Sequence, residues 1–349
     1  MSIFVDEFGR LSDGTEIERY TLQRGGITLR LITYAAAIQS LEVPDREGNT
    51  EDIMLGYDTA AEYETGRGQQ GSVIGRHANR LEGAEFELNG VTYKLAANNG
   101  RNNLHGGPRG FARQVWNGEK ASANDYDAVR FTLRSPDGQE GFPGNLVAEV
   151  VYRLDDRGNL SLDYYASTDQ DTIVNLTNHG YFNLAGHDSG SMENQLLQIP
   201  SDFYTPVNAE GLTTGEIRFV EGTALDFRQA KPIGRDIADP LLENVKGYDH
   251  NFVVPGPIGQ LRRCAAASDP ASGRKLEVWT TMPGLQLYTA NTLPEQKGKA
   301  GSTFGYRSGF CLETQYFPNS MHLRHFPSPI LRPDQTYHHT TVFRFKILK

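Results

Sequence analysis

The 349-residue chain predicts an all-β protein, a sandwich or a barrel. Three observations carry this. Apolar residues recur at every second position in many short runs, the spacing of a strand with one buried face. Turn residues separate the runs, and the chain holds 37 Gly and 17 Pro. Helical periodicity longer than two turns is almost absent.

Taken in order, Ile27, Leu29 and Leu31 alternate with Thr28 and Arg30 as a strand, and residues 38–43 continue or restart it after the small residues Ala35 to Ala37. Pro44 to Asn49 is turn chemistry, and Thr59 to Glu64 predicts one short helix. Gly66-Arg67-Gly68-Gln69-Gln70-Gly71 has the spacing of a dinucleotide fingerprint. That motif must follow a buried strand and open a helix, whereas acidic Glu62-Tyr63-Glu64 precedes it here, so it is a decoy. Residues 85–95 predict a hairpin, because Asn89-Gly90 between alternating runs supplies the two positive φ angles of a type I′ turn.

Val129, Phe131 and Leu133 form the next strand face, before Pro136-Asp137-Gly138. Leu146, Ala148, Val150, Tyr152 and Leu154 follow, then a turn from Asp155 to Gly158 and a return through Leu160, Leu162 and Tyr164. Residues 277–281 and 285–289 are β-rich runs around Pro283-Gly284, and residues 337–345 read as a closing strand. No linker, low-complexity segment or repeat interrupts residues 1–349, so one domain is expected.

Composition narrows the function classes. The net charge is -9 and is spread along the chain. With no basic patch, neither nucleic acid nor a membrane is expected as a partner. Cys264 and Cys311 are too few for a disulfide framework and lack paired zinc-site spacing. The first ten residues contain acidic side chains and lack a signal-peptide core, and no apolar run approaches a membrane span. A cytoplasmic protein with free thiols is expected.

Four polar clusters stand out. Asn102-Asn103-Leu104-His105-Gly106-Gly107 places a histidine before a double glycine, which permits tight bending and close approach to a ligand. Asn178-His179 lies among amides that need partners when buried. Tyr248-Asp249-His250 reads first as a turn with local hydrogen bonding. In Phe310-Cys311-Leu312-Glu313-Thr314-Gln315 a carboxylate follows three residues that favour burial, so Glu313 is a general-base candidate. Gly75 to Arg80 adds Asn79 and Arg80, donors suited to an oxygen-rich ligand. His338 and His339 point to opposite faces of a strand and do not share a metal. Neither H-E-x-x-H nor G-x-S-x-G occurs.

The motifs from Gly75 to Arg80, Leu104-His105-Gly106-Gly107 with Gly110-Phe111 and Trp116, Thr177 to Leu184, Gly247 to His250, Pro283 to Tyr288 and Gly309 to Gln315 resemble, in order, the aldose 1-epimerase family. The resemblance runs from about Thr15 to Phe345. It implies a large antiparallel β-sandwich of the galactose mutarotase-like supersandwich type. It implies Glu313 as general base, His179 as general acid and His105 beside them at the sugar ring oxygen, with Asn79, Arg80, Asp249 and Gln286 holding hydroxyls. Neither cofactor nor metal is implied, the partner is a small aldose sugar, and one chain suffices, so a monomer is expected. Gly180, Asn319 and Met321-His322 depart from the family pattern and leave sugar preference open.

Opposite charges in one cleft would favour an ionised Glu313 beside a protonated His179. Phe310 or Trp116 would face either the sugar or the core. The alternatives are an epimerase of a hexose 6-phosphate, with Arg80 and Arg109 as phosphate ligands, an epimerase of a maltose reducing end, a non-catalytic sugar binder, and an all-β interaction module without a small-molecule site.

Overall fold

Three antiparallel sheets build the scaffold in the computed structural model, which describes residues 3–348. Strands Phe4–Arg10, Glu16–Arg24, Ile27–Ile32, Ala37–Pro44 and Thr50–Asp52 form a five-stranded meander. A nine-stranded sheet takes the spatial order Asn117–Lys120, Tyr126–Ser135, Leu146–Asp155, Asn159–Thr168, Tyr337–Ile347, Arg274–Thr280, Arg262–Ser268, Leu196–Gln198 and Lys231–Pro232. A second five-stranded sheet runs Arg218–Phe219, Phe203–Thr205, Asp249–Val253, Gly284–Tyr288 and Cys311–Gln315. The fold is a large antiparallel β-sandwich, and among the described residues no helix is long and apolar enough to cross a membrane.

The predicted period of two sets the packing. Val129, Tyr152, Leu162, Thr341 and Thr280 lie side by side across five strands, and all are buried. Phe131, Val150 and Tyr164 form a neighbouring row. Side chains from all three sheets meet in one apolar core, including Leu22 and Leu29, Val150 and Leu276, Leu285 and Leu312. Thr314 Oγ1 bonds Thr341 Oγ1 and ties the second five-stranded sheet to the nine-stranded one. The last strand lies in the middle of its sheet, between Asn159–Thr168 and Arg274–Thr280, so the chain end is a central pairing partner.

Local chemistry matches the predicted turns. Asn89 and Gly90 hold φ angles of 53° and 77° in the hairpin Glu85–Leu88/Val91–Lys94. The one α-helix, Ala60–Thr65 among the described residues, opens on a capping box in which Thr59 accepts from the Glu62 amide and Glu62 accepts from Thr59. Gly66 to Gly71 forms a loop rather than a strand-to-helix turn. His338 is exposed and His339 buried, as adjacent strand positions require.

Several buried histidines are held neutral by loss of water. Burial lowers His77 to about 3, and His250 and His339 to about 4. Neither ring nitrogen of His77 has a hydrogen-bond partner among the described residues. Their folded values lie below the unfolded value of about 6.5, so the unfolded chain binds more protons between these limits. The stability they contribute is complete above that range and is lost as pH falls through it, on the order of 1–2 kcal/mol per histidine by pH 5. The urea midpoint is therefore expected to drop between pH 7.5 and pH 5, and equal midpoints would refute this account.

Candidate active site

The site is built on the second five-stranded sheet. Along Cys311–Gln315, Leu312 and Thr314 enter the core, which turns Cys311 and Glu313 to the opposite face. Gln286 pairs with Glu313 and with Asn251, and Tyr288 pairs with Cys311 and with Asp249. Two polar rows thus cross three strands on one face, Asn251–Gln286–Glu313 and Asp249–Tyr288–Cys311. Gln286 Nε2 donates to Asp249 Oδ1 at 2.6 Å. Asp249 opens the strand Asp249–Val253, so the expectation of a turn aspartate is corrected: its partners are tertiary.

Loops close the other side. The short strands Arg80–Leu81 and Asn103–Leu104 pair, which sets Asn79 beside His105. Arg80 Nε donates to Asn99 Oδ1 at 3.0 Å, and Arg80 Nη1 lies 3.4 Å from both Asp249 Oδ2 and the Gly211 carbonyl. A Cβ on Gly211, at φ 73°, would stand 2.9 Å from the Arg80 guanidinium carbon. His105, Gly106 and Gly107 all have positive φ. A Cβ on Gly106 would fall 2.2 Å from the Gly75 carbonyl oxygen, so the double glycine serves close backbone packing under His105. His179 follows Thr177–Asn178, which pairs with Val73–Ile74, and its own N–H and C=O bond Ser72 and Gly71.

These elements enclose a cleft of about 600 Å³ that reaches Asn79, Arg80, His105, His179, Asp249 and Glu313. His179 Nε2 is 3.7 Å from Glu313 Oε1. The His179 ring centroid lies 5.3 Å from that of His105 and 4.9 Å from that of Tyr181. Gln286 is buried beside Glu313 and reaches the cleft through Asp249. Asn79 Oδ1 accepts from the Arg80 amide, so part of its bonding capacity is spent locally.

Burial governs the charges. Loss of water, then the Asp249 carboxylate, push Glu313 well above the usual carboxylate range, against the pull of Arg80. Burial lowers His179 to about 4, although Asp249 favours its charged form. His105 is lowered well below the ordinary imidazole value by burial first, then by His179 and Arg80. The ion pair expected from the sequence is therefore not the favoured state of the cleft. Desolvating two charges outweighs their attraction at this separation, and both groups lean neutral.

The cleft aromatics are Tyr181 and Tyr288, whereas Phe310 and Trp116 are core residues. Neither tyrosine was named as a cleft residue from the sequence; the signal for Tyr288 is its place two positions after Gln286 in a strand, on the same face. Asn99 carried no signal, since its part is to hold Arg80 from a loop. Arg76 is a buried strut that donates to the carbonyls of Ser135, Pro136, Pro143 and Gly144. Arg109 is exposed and pairs with Glu140, outside the cleft lining.

Candidate ligand atoms of His105, His179 and Glu313 lie within 4.8 Å of one another, as three metal ligands could. The hydrogen-bond pattern does not fit a metal. The Asn79 N–H donates to His105 Nδ1 at 3.2 Å, so neutral His105 carries its hydrogen on Nε2 and has no lone pair there to offer.

With this geometry in view, the relatives fall into one class. The aldose 1-epimerase family model matches residues 18–344, and the chain belongs to that family. The galactose mutarotase of Bos taurus is 42% identical over 342 residues, with 97% of each chain covered. The aldose 1-epimerase of Escherichia coli K12 is 36% identical over 338 residues, covering 95% of this chain and 96% of its own. Among solved structures, the galactose 1-epimerase of Lactobacillus acidophilus NCFM superposes with a TM-score of 0.87 at 28% identity, over all of both chains. The GalM/aldose epimerase homologue of C. elegans gives 0.86 at 28% identity, over 95% of this chain and 100% of its own.

The tautomer assigned to His105 has a direct test. Calorimetric titration with zinc chloride at pH 7 is expected to show no site that His105→Ala or Glu313→Gln removes. A zinc site lost in both variants would overturn the assignment.

Proposed function

We propose that this protein is an aldose 1-epimerase that interconverts the α and β anomers of free hexoses such as glucose and galactose. The observation that carries the reading is the buried pair Glu313 and His179, 3.7 Å apart at the wall of a polar cleft. Relatives named galactose mutarotase and aldose 1-epimerase over nearly the full chain support it.

Mutarotation requires the O1 hydroxyl to lose a proton while the ring oxygen O5 gains one. The C1–O5 bond then breaks to give the open aldehyde, rotation about C1–C2 exposes the other carbonyl face, and closure reverses both transfers. Glu313 takes the O1 proton and His179 Nε2 gives one to O5; the two then exchange roles for closure. His105 Nε2–H is a fixed donor toward the ring oxygen. Asp249 accepts from sugar hydroxyls, Arg80 donates to sugar oxygens, and Gln286 and Asn99 hold these two in place. Asn79 contributes through the loop that seats Arg80 and His105. The chemistry needs one cleft of one chain, so a monomer suffices for it.

Because both groups lean neutral, the working unit is a pair sharing one mobile proton, carried as Glu313-COOH or as His179-H⁺. Transfer of that proton from Glu313-COOH to His179 Nε2 gives the charged form that reacts, and a bound sugar, the Arg80 guanidinium and the His105 Nε2–H supply the polar surroundings that favour it.

Polarimetry on freshly dissolved α-D-glucose and α-D-galactose tests the reading. The wild type speeds the approach to equilibrium, and Glu313→Gln, which keeps the size and removes the base, loses roughly 10²–10⁴ of that rate. A wild type without effect on either sugar would overturn the activity, and an active Glu313→Gln would overturn only the base. The pH profile is a second test. A second proton on the pair leaves no base, and it arrives where His179 titrates, so kcat/KM is expected to fall only below a midpoint near 4. An acid limb centred near the ordinary imidazole value of about 6.5 would contradict it.

A further inference from the structure

The two cleft histidines differ in what their Nδ1 atoms meet. His105 Nδ1 faces the Asn79 N–H, which can only donate, so that ring keeps its hydrogen on Nε2. His179 Nδ1 faces Cys311 Sγ at 3.5 Å. Among the described residues the sulfur is the side-chain partner of that nitrogen, and a backbone hydrogen bond of His179 itself also favours the protonated ring. Cys311 is fully buried, and its position two residues before Glu313 puts its side chain on the same face of the strand as the carboxylate. Its cross-strand neighbour Tyr288 lies against the His179 ring, at 6.2 Å between centroids, and Tyr181 flanks the ring at 4.9 Å. The ring is thereby confined with Nε2 toward Glu313 and Nδ1 toward the sulfur.

This inference rests on the epimerase reading above. There the nitrogen that gains and loses a proton is Nε2, the one beside Glu313 and the cleft. For Nε2 to offer a lone pair in the neutral ring, Nδ1 must keep its hydrogen in both protonation states. We propose that Cys311 is the positioning residue that holds it there: its sulfur accepts the His179 Nδ1–H bond and fixes the tautomer in which Nε2 carries the exchanged proton. A thiol suits the task. Sulfur is a weak acceptor, so it orients the ring without the charge of a carboxylate, which would trap the imidazolium in a buried site. Burial pushes the Cys311 thiol well up, in keeping with a neutral partner. The two neighbouring histidines thus hold opposite tautomers, His105 as a fixed donor and His179 as a proton carrier.

The test is nitrogen-15 NMR of the histidine rings in the full chain, with polarimetry alongside. In the wild type at pH 7, His179 is expected as the Nδ1–H tautomer and His105 as the Nε2–H tautomer. His179 in the Nε2–H form would overturn the proposal without needing a variant. In Cys311→Ala the ring loses its side-chain acceptor, so His179 is expected to shift toward Nε2–H. Turnover should fall roughly tenfold, with KM changed less than twofold. Cys311→Ser restores an acceptor and should recover both the tautomer and most of the rate. If Cys311 served packing alone, serine would do no better than alanine, since it buries a hydroxyl for no gain, and the tautomer would not move; that pattern would overturn the proposal. The ring signals do not depend on turnover, so a protein without epimerase activity is told apart from one in which Cys311 lacks this part.

Discussion

A carboxylate in the middle of a buried strand is costly, and much of the site is arranged around that cost. Glu313 has Leu312 and Thr314 in the core on either side and a buried Oε2 without a hydrogen-bond partner among the described residues. Its charge is opposed by loss of water and by Asp249, and relieved in part by Arg80. A carboxyl held this way keeps its proton far more readily than one in water, which places it among perturbed groups that cluster at functional sites. The antiparallel register makes the arrangement reproducible. Gln286 opposite Glu313, and Tyr288 opposite Cys311, leave each side chain one place to go. A slip of one residue would put Glu313 into the core and Leu312 into the cleft.

The remainder of the molecule keeps that register rigid. The nine-stranded sheet backs the second five-stranded sheet through shared core packing and the Thr314–Thr341 bond. On the flank, Lys299 Nζ bonds the Gln39 carbonyl at 2.8 Å and Asp52 at 2.5 Å, pinning the loop around 299 to the N-terminal meander. Breaking such a pair would strand one buried charge, so it holds shape more than it adds stability. Arg76 and Arg307 are likewise buried and spend their donors on loop carbonyls, those of Pro143 and Gly144 for Arg76 and those of Thr289 and Lys246 for Arg307. The loops that carry His105, Arg80 and His179 are thus fixed to a stiff frame, as positioning acid and base within a few tenths of an ångström demands.

Charge in the cleft is distributed in layers. Asp249 and Arg80 lie at the mouth with some solvent contact, and the Glu313–His179 pair lies deeper. The deeper pair leans neutral, where unlike charges at the same separation in water would each stay ionised. A polar ligand entering the cleft alters that balance by bringing its own dipoles, so the protonation state that matters is the one formed around the sugar.

The sequence was most legible where a rule of spacing acts locally. Period-two runs located the long strands, Asn89-Gly90 located a hairpin, and the run from Thr59 to Glu64 located a short helix, because each depends on residues within a few positions of one another. The same logic, joined to the resemblance, identified the polar groups that the fold brings together: Glu313, His179, His105, Arg80, Asn79, Asp249 and Gln286 all lie in or directly behind one cleft. What the chain alone did not determine was everything that depends on distant partners. Asp249 read as a turn residue because its partners, Gln286 and Arg80, are 37 and 169 positions away. Trp116 and Phe310 could not be assigned to core or cleft, since both are apolar and only packing separates the two. The protonation of Glu313 and His179 was set by tertiary structure alone. Charge attraction is visible in a list of residues, but the loss of water that outweighs it exists only once the sheets and loops have closed around them.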